Sequence, residues 1–177
     1  MSIGSRGFAL EELGKTARQA RLYLQKRLNM KGTSMARTEG TVFIGHGRSI
    51  AWRDLKDFLK DRLGFTPEEF NTESAAGLPT SERLQEMLDS AVVAFLVMTA
   101  EDEHADTTTH ARENVIHEVG LFQGRLGFRR AIVMLEEGCA EFSNITGLGQ
   151  IRFPRDNIKA RTEEIRAVLE REGLLKK

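Results

Sequence analysis

From Thr41 onward, short apolar runs alternate with amphipathic stretches, and this alternation predicts the architecture. Thr41-Val42-Phe43-Ile44-Gly45 reads as a buried strand. A helix follows over residues 50–63, with Ile50, Leu55, Phe58, Leu59 and Leu63 facing inward. Glu69-Phe70-Asn71 is a short edge strand. The helix over 79–88 opens on Pro79, whose missing N–H does no harm in a first turn. Ala91–Met98 is apolar at every position, as a central strand covered on both faces must be. A helix over 111–126, strands over 131–135 and Gln150–Phe153, and a closing helix over 157–172 complete the pattern. Alternating β and α elements with right-handed crossovers define an α/β fold, a doubly wound five-stranded parallel sheet of flavodoxin type.

The first forty residues follow a different pattern. Residues 8–30 predict a helix in which Leu10, Leu13, Ala17, Ala20 and Leu24 step by three and four, a seam that breaks at Arg27. Two heptads with two alanines fall short of a stable coiled coil, so the seam packs on the domain, on a copy of itself or on another partner. The stretch 32–40 is polar, bounded by glycines and unpatterned. The expected organisation is therefore an amphipathic basic helix over 1–31, a linker over 32–40 and a globular domain over 41–177.

Charge sharpens this division. The net charge is zero, yet residues 1–40 hold eight Lys/Arg against three Asp/Glu and the remainder eighteen against twenty-three. A basic arm on an acidic body suits binding to nucleic acid or membrane. It suits equally an arm that docks on the body of a neighbouring copy. A hydrophobic content of 40% and a charged content of 29% are those of a soluble globular protein. The longest apolar run is too short to span a bilayer, and the N-terminus has no signal-peptide core, so a cytoplasmic location is expected. Cys139 is the only cysteine, which excludes a disulfide framework and a thiolate metal cluster.

Chemistry concentrates in the helix over 111–126. At 100° per residue, Val115, Val119, Phe122 and Leu126 share one apolar stripe, and Glu118 lies about 60° off it with Asn114 and Arg125 on the same flank. A carboxylate at the edge of a buried face is desolvated, which raises its pKa and strengthens its field on a nearby cation. A structural alternative has Glu118 paired with Arg125 or capping a neighbouring loop.

Ligands of doubly wound sheets bind at the carboxyl ends of the strands. Here that edge is supplied by Gly45-His46-Gly47-Arg48-Ser49, by the loop 72–78 and by residues 99–110. In the first segment, glycines would let backbone amides approach a phosphate, and Arg48 offers a bidentate fork. A tight turn with a Ser cap accounts for the same residues. The acidic loop from Glu101 to Asp106 reads as a solvated lid, since its His and acid spacing matches no ligand motif, and no metal is expected. The central strand ends in Met98-Thr99 without a phosphoacceptor aspartate, and the chain lacks a nucleophile-elbow sequence.

Four segments in order resemble the TIR-like family of bacterial antiphage effectors, in particular the effector TIR domains of cyclic-nucleotide (Pycsar-type) systems. They are Val42-Phe43-Ile44-Gly45-His46-Gly47-Arg48, residues 73–88 with Gly77, residues 112–127, and Ser143-Asn144-Ile145-Thr146-Gly147. The third is the most specific: Asn-Val-Ile-x-Glu-x-Gly-Leu-Phe-x-Gly-x-Leu-Gly is that family's signature helix. The resemblance implies a TIR fold and cleavage of NAD+ at the nicotinamide–ribose bond, with NAD+ as substrate and no cofactor. It places the catalytic glutamate on Glu118. It assigns substrate contacts to Gly45, His46, Gly47, Arg48, Ser49 and Asn114, with Arg48 on a phosphate and 72–78 as the gating loop. Self-association into an oligomer or filament and a second-messenger sensor domain or partner are further implications; membrane and nucleic acid are not expected partners. Departures from the pattern are Thr99-Ala100-Glu101-Asp102 in place of Thr-Pro-Asp-Asp, His117 in place of phenylalanine, and Asn144 in place of aspartate. Residues 1–40 hold no sensor domain, so the trigger is expected on a missing segment or on another protein. Two other functions stand beside this one: a TIR-type interaction module without turnover, and a nucleoside deoxyribosyltransferase-like enzyme using Glu118 as nucleophile.

Overall fold

A computed structural model describes residues 39–70, 80–103, 108–142, 145 and 149–175. The expected helix over 8–30, nearly all of the linker and the loop 72–78 lie outside the described residues. Five parallel strands form one sheet: β1 (Thr41–His46), β2 (Pro67–Glu68), β3 (Ala91–Met98), β6 (Ala131–Glu136) and β7 (Gln150–Phe153). Their spatial order is β2-β1-β3-β6-β7, the flavodoxin-type order that the alternation predicts. Two short strands, β4 (Asp102–Glu103) and β5 (Thr109–His110), pair antiparallel as a separate ribbon. That ribbon places Asp102 and Glu103, part of the segment expected as a solvated lid, in a strand; residues 104–106 lie outside the described residues.

Helices cover both faces. On one side lie α1 (Ala51–Asp57), the 3-10 turn Ile158–Arg161 and α4 (Thr162–Arg171); α2 (Thr80–Ser90) and α3 (Glu113–Leu126) belong to the other. Strand alternation divides the core accordingly. Val42 and Ile44 of β1 join Leu55, Leu59 and Leu169 on the first side. Phe43 joins Val115, Val119 and Phe122 on the second. Every residue of β3 is buried, as its uninterrupted apolar sequence requires.

Three local expectations change. The helix over 50–63 is α-helical only to Asp57 and continues as a π turn over Phe58–Arg62. Ile50 precedes it and is 68% exposed, because the inward face begins at Ala51 and runs in steps of four to Leu55 and Leu59. The edge strand is Pro67–Glu68 rather than 69–71. There the Val42 N–H donates to the Thr66 carbonyl at 3.1 Å, and a proline is tolerated because the strand pairs on one side only. Glu69 is left buried beyond the strand, where its carboxylate meets Lys56 Nζ at 2.8 Å.

The chain leaves β1 toward β2 on one side and returns to β3 on the other. The reversal of strand order therefore falls between β1 and β3, and their carboxyl ends flank the crevice where doubly wound sheets take ligands.

Candidate active site

Two contacts fix the signature helix against β1. The rings of Phe43 and Phe122 stack with centroids 4.1 Å apart and planes inclined by 19°. Two residues along the strand advance about 6.6 Å, and four residues along a helix about 6 Å. The step from Phe43 to Gly45 therefore matches the step from Phe122 back to Glu118, and Glu118 arrives opposite Gly45. Gly45 is the residue that makes room. A Cβ there would strike both Glu118 Oε2 and Leu96 Cδ1.

Glu118 is 7% exposed, and among the described residues its Oε2 has no hydrogen-bond partner. Burial pushes its carboxyl up to about 7. Pairing with Arg125 does not occur: the Arg125 guanidinium bonds Asp89 Oδ1 at 3.1 Å instead. A buried carboxyl oxygen without a partner is costly, and structural acids in such positions are normally satisfied. Here the unmet acceptor lies against Gly45, the next-to-last residue of β1, whose carboxyl end flanks the reversal of strand order.

The segment 45–49 does not act as one lining. Alternation sends His46 to the sheet face opposite Glu118, where it stacks on Trp52 with ring centroids 4.1 Å apart. Its Nε2 lies 2.7 Å from the Glu69 carboxylate and its Nδ1 2.8 Å from the Gly47 carbonyl. Beyond it, the turn 47–49 is already occupied by an anion of the chain itself. The Arg48 N–H lies 3.0 and 2.8 Å from the two Glu101 oxygens, and the Ser49 N–H donates to Oε1 at 3.1 Å. The Thr99 hydroxyl donates to the same Oε1 at 2.5 Å. Burial alone would raise the Glu101 pKa, but these donors hold its carboxyl below the usual carboxylate range. Gly47 is glycine for a steric reason, since a Cβ would run into the Glu101 carboxyl.

The expectation that 45–49 lines a nucleotide phosphate thus meets amides that Glu101 already uses. The Arg48 residue is exposed, as is Asn114, which stands one turn before Glu118 on α3. His117 is exposed as well, pointing away from its neighbour Glu118. Of the fourth segment only Ile145 is described, and it is buried in the core under α3.

Glu136 is a second carboxylate that the sequence pattern conceals. It ends β6, is 4% exposed, and accepts the Ala100 N–H at 3.1 Å and the Asp156 N–H at 3.0 Å. It ties the chain after β3 to the chain after β7, as Glu101 ties the chain after β3 to the chain after β1. Acids placed at the carboxyl ends of parallel strands are the available signal; the amides they accept, twenty or more residues away in every case, leave no local trace. Cys139 is also buried, its thiol pushed up to about 11 mainly by burial, which makes it a poor nucleophile.

A parallel five-stranded sheet with its strand order reversing between β1 and β3, and a buried carboxyl, Glu118, packed against β1 there, defines the class: a TIR-like α/β domain. Residues 41–155 match the family described as CAP12/Pycsar effector protein, TIR domain, and the chain belongs to that family. No curated protein matches the chain. A crystal structure of hypothetical protein TT0462 from Thermus thermophilus is similar at 14% identity and a TM-score of 0.39. That similarity covers 87% of this chain and 42% of the other, so the present chain spans less than half the length of its structural relative.

Proposed function

We propose that this TIR domain is an NAD+ glycohydrolase of antiphage defence, cleaving the nicotinamide–ribose bond with Glu118 as its catalytic carboxylate. The observation that carries the reading is the buried Glu118 Oε2, without a partner among the described residues, opposite a glycine at the strand-order switch. Rupture of the N-glycosidic bond passes through an oxocarbenium-like state. A preorganised carboxylate at low dielectric stabilises that developing cation far more than water does. Nicotinamide leaves as a neutral base, so no strong general acid is needed, and one carboxylate serves where most glycosidases use two. The bonds balance simply: the ribose C1–nitrogen bond breaks with its electron pair going to nicotinamide, and water adds to C1, yielding ADP-ribose and a proton.

A purely structural role for Glu118 as the ion-pair partner of Arg125 fits less well, because the Arg125 guanidinium is committed to Asp89. The reading extends to assembly. The basic segment 1–31 and the acidic body suit contact between copies, with activity rising as copies meet, and a second-messenger sensor on another segment or protein would supply the trigger. The decisive experiment incubates the full chain with NAD+ over a range of protein concentrations and separates the products by chromatography. Equal amounts of nicotinamide and ADP-ribose, with specific activity increasing with concentration, are expected. Transfer from a deoxynucleoside to an acceptor base, without nicotinamide release from NAD+, would replace this reading with the deoxyribosyltransferase one.

A further inference from the structure

We propose that Glu101 is a specificity-determining residue: its carboxylate fills the turn 47–49 and denies the amides of that turn to the phosphates of a ligand. Three donors converge on it, the Arg48 and Ser49 amides and the Thr99 hydroxyl. It lies against the Cα of Gly47, the approach that an incoming phosphate oxygen would need. The backbone behind it is held from two directions. The Glu101 N–H donates to the His110 carbonyl at 3.0 Å, and the Ala100 N–H donates to buried Glu136 at 3.1 Å. Glu136 is itself fixed by the Asp156 N–H at 3.0 Å. Glu101 is therefore a fastened part of the crevice rim.

The consequence for substrate rests on the NAD+ reading above. A pyrophosphate brought to the rim meets occupied amides and a like charge, so it lies outside the turn, with the exposed Arg48 guanidinium as its cation. The end drawn inward is the cationic nicotinamide riboside, which meets the negative field of Glu101 and Glu118 together. The rim thus selects which end of a dinucleotide enters, and it disfavours anionic ligands that lack the cationic end.

The test needs no turnover, and so separates this proposal from the NAD+ reading. Inorganic pyrophosphate is titrated calorimetrically into the full-length wild-type chain and into Glu101→Ala, Glu101→Gln and Glu103→Ala. Glu103 is an exposed acid two residues away, and its removal makes the same change in net charge. Glu101→Ala is expected to bind pyrophosphate at least about tenfold more tightly than wild type, since two amides become available and a charge is removed. Glu101→Gln keeps the volume and one acceptor, so a smaller gain is expected, and it carries the test if the alanine variant does not fold. Glu103→Ala should bind as wild type does. The proposal is overturned if wild type already binds as tightly as the Glu101 variants, or if Glu103→Ala gains as much.

Discussion

Replacing Glu118 by glutamine should stabilise the fold progressively as pH rises, and the size of the effect follows from the site. Burial raises its carboxyl from 4.5 to about 7, so the folded chain retains a proton that the unfolded chain has lost across that interval. Below about 4.5 both states are protonated and Glu118 carries no electrostatic penalty. Above about 7 it is ionised in both, and the folded state bears the full cost, on the order of 3 kcal/mol at 1.36 kcal/mol per unit. Glutamine does not titrate. Its amide N–H2 meets the same apolar surroundings of Gly45 and Leu96, but that penalty is constant with pH. The difference in stability between variant and wild type should therefore widen by roughly 3 kcal/mol between pH 4.5 and pH 8, about 6–12 °C in melting temperature for a chain of this size. Thermal melts followed by circular dichroism at five pH values across that range measure it. Parallel curves for the two proteins would refute the reasoning, because they would mean that Glu118 is not a desolvated carboxyl.

Other outcomes follow from the same geometry. On the proposed NAD+ glycohydrolase reading, in which the ionised Glu118 is the working form, the kcat/KM for NAD+ should fall about tenfold per pH unit below about 7; the inflection in kcat should lie lower, because a cationic nicotinamide beside the carboxyl favours its charge. A profile flat from pH 5.5 to 8 would contradict this. Gly45→Ala should lower stability by about 1–3 kcal/mol through its clash with Glu118 and Leu96, and should abolish nicotinamide release, which melts and product assays check together. Arg48→Ala should raise KM with little change in kcat, as expected of a contact made equally in ground and transition states; an unchanged KM would make Arg48 structural. Deleting residues 1–31 should reduce self-association in sedimentation without unfolding the sheet. Equal activity per molecule at every concentration in both chains would remove assembly from the account.

Much of the fold was legible because its signals are local. The uninterrupted run of β3 and the stepped stripe of α3 each report burial directly, and β–α alternation then constrains the strand order. The helical wheel also singled out Glu118, since an acid beside Val115, Val119 and Phe122 conflicts with its surroundings. What the wheel underestimates is depth. A position about 60° off the stripe is buried because Gly45 has no side chain to hold α3 away from β1. His46 and Gly45 are neighbours in sequence, but a period of two sends them to opposite faces, a separation that grouping 45–49 as one motif overlooks. Glu101 was harder. The glycines of the turn rightly signal an approaching anion, yet nothing in the segment says that the anion is a side chain fifty-three residues away. The π turn and the two-residue β2 likewise depend on how Leu59 and Val42 pack, which pattern alone does not encode.

The proposed cleavage of NAD+ by an ionised Glu118 is tested most directly by the rate of nicotinamide release at pH 8 from wild type and Glu118→Gln, both at the highest attainable protein concentration. Steady release is expected from wild type, with a rate at least about a hundredfold lower for the folded variant, since a preorganised electrostatic contact to the transition state is lost. Equal rates for the two proteins, or no release by wild type at any concentration, would contradict it.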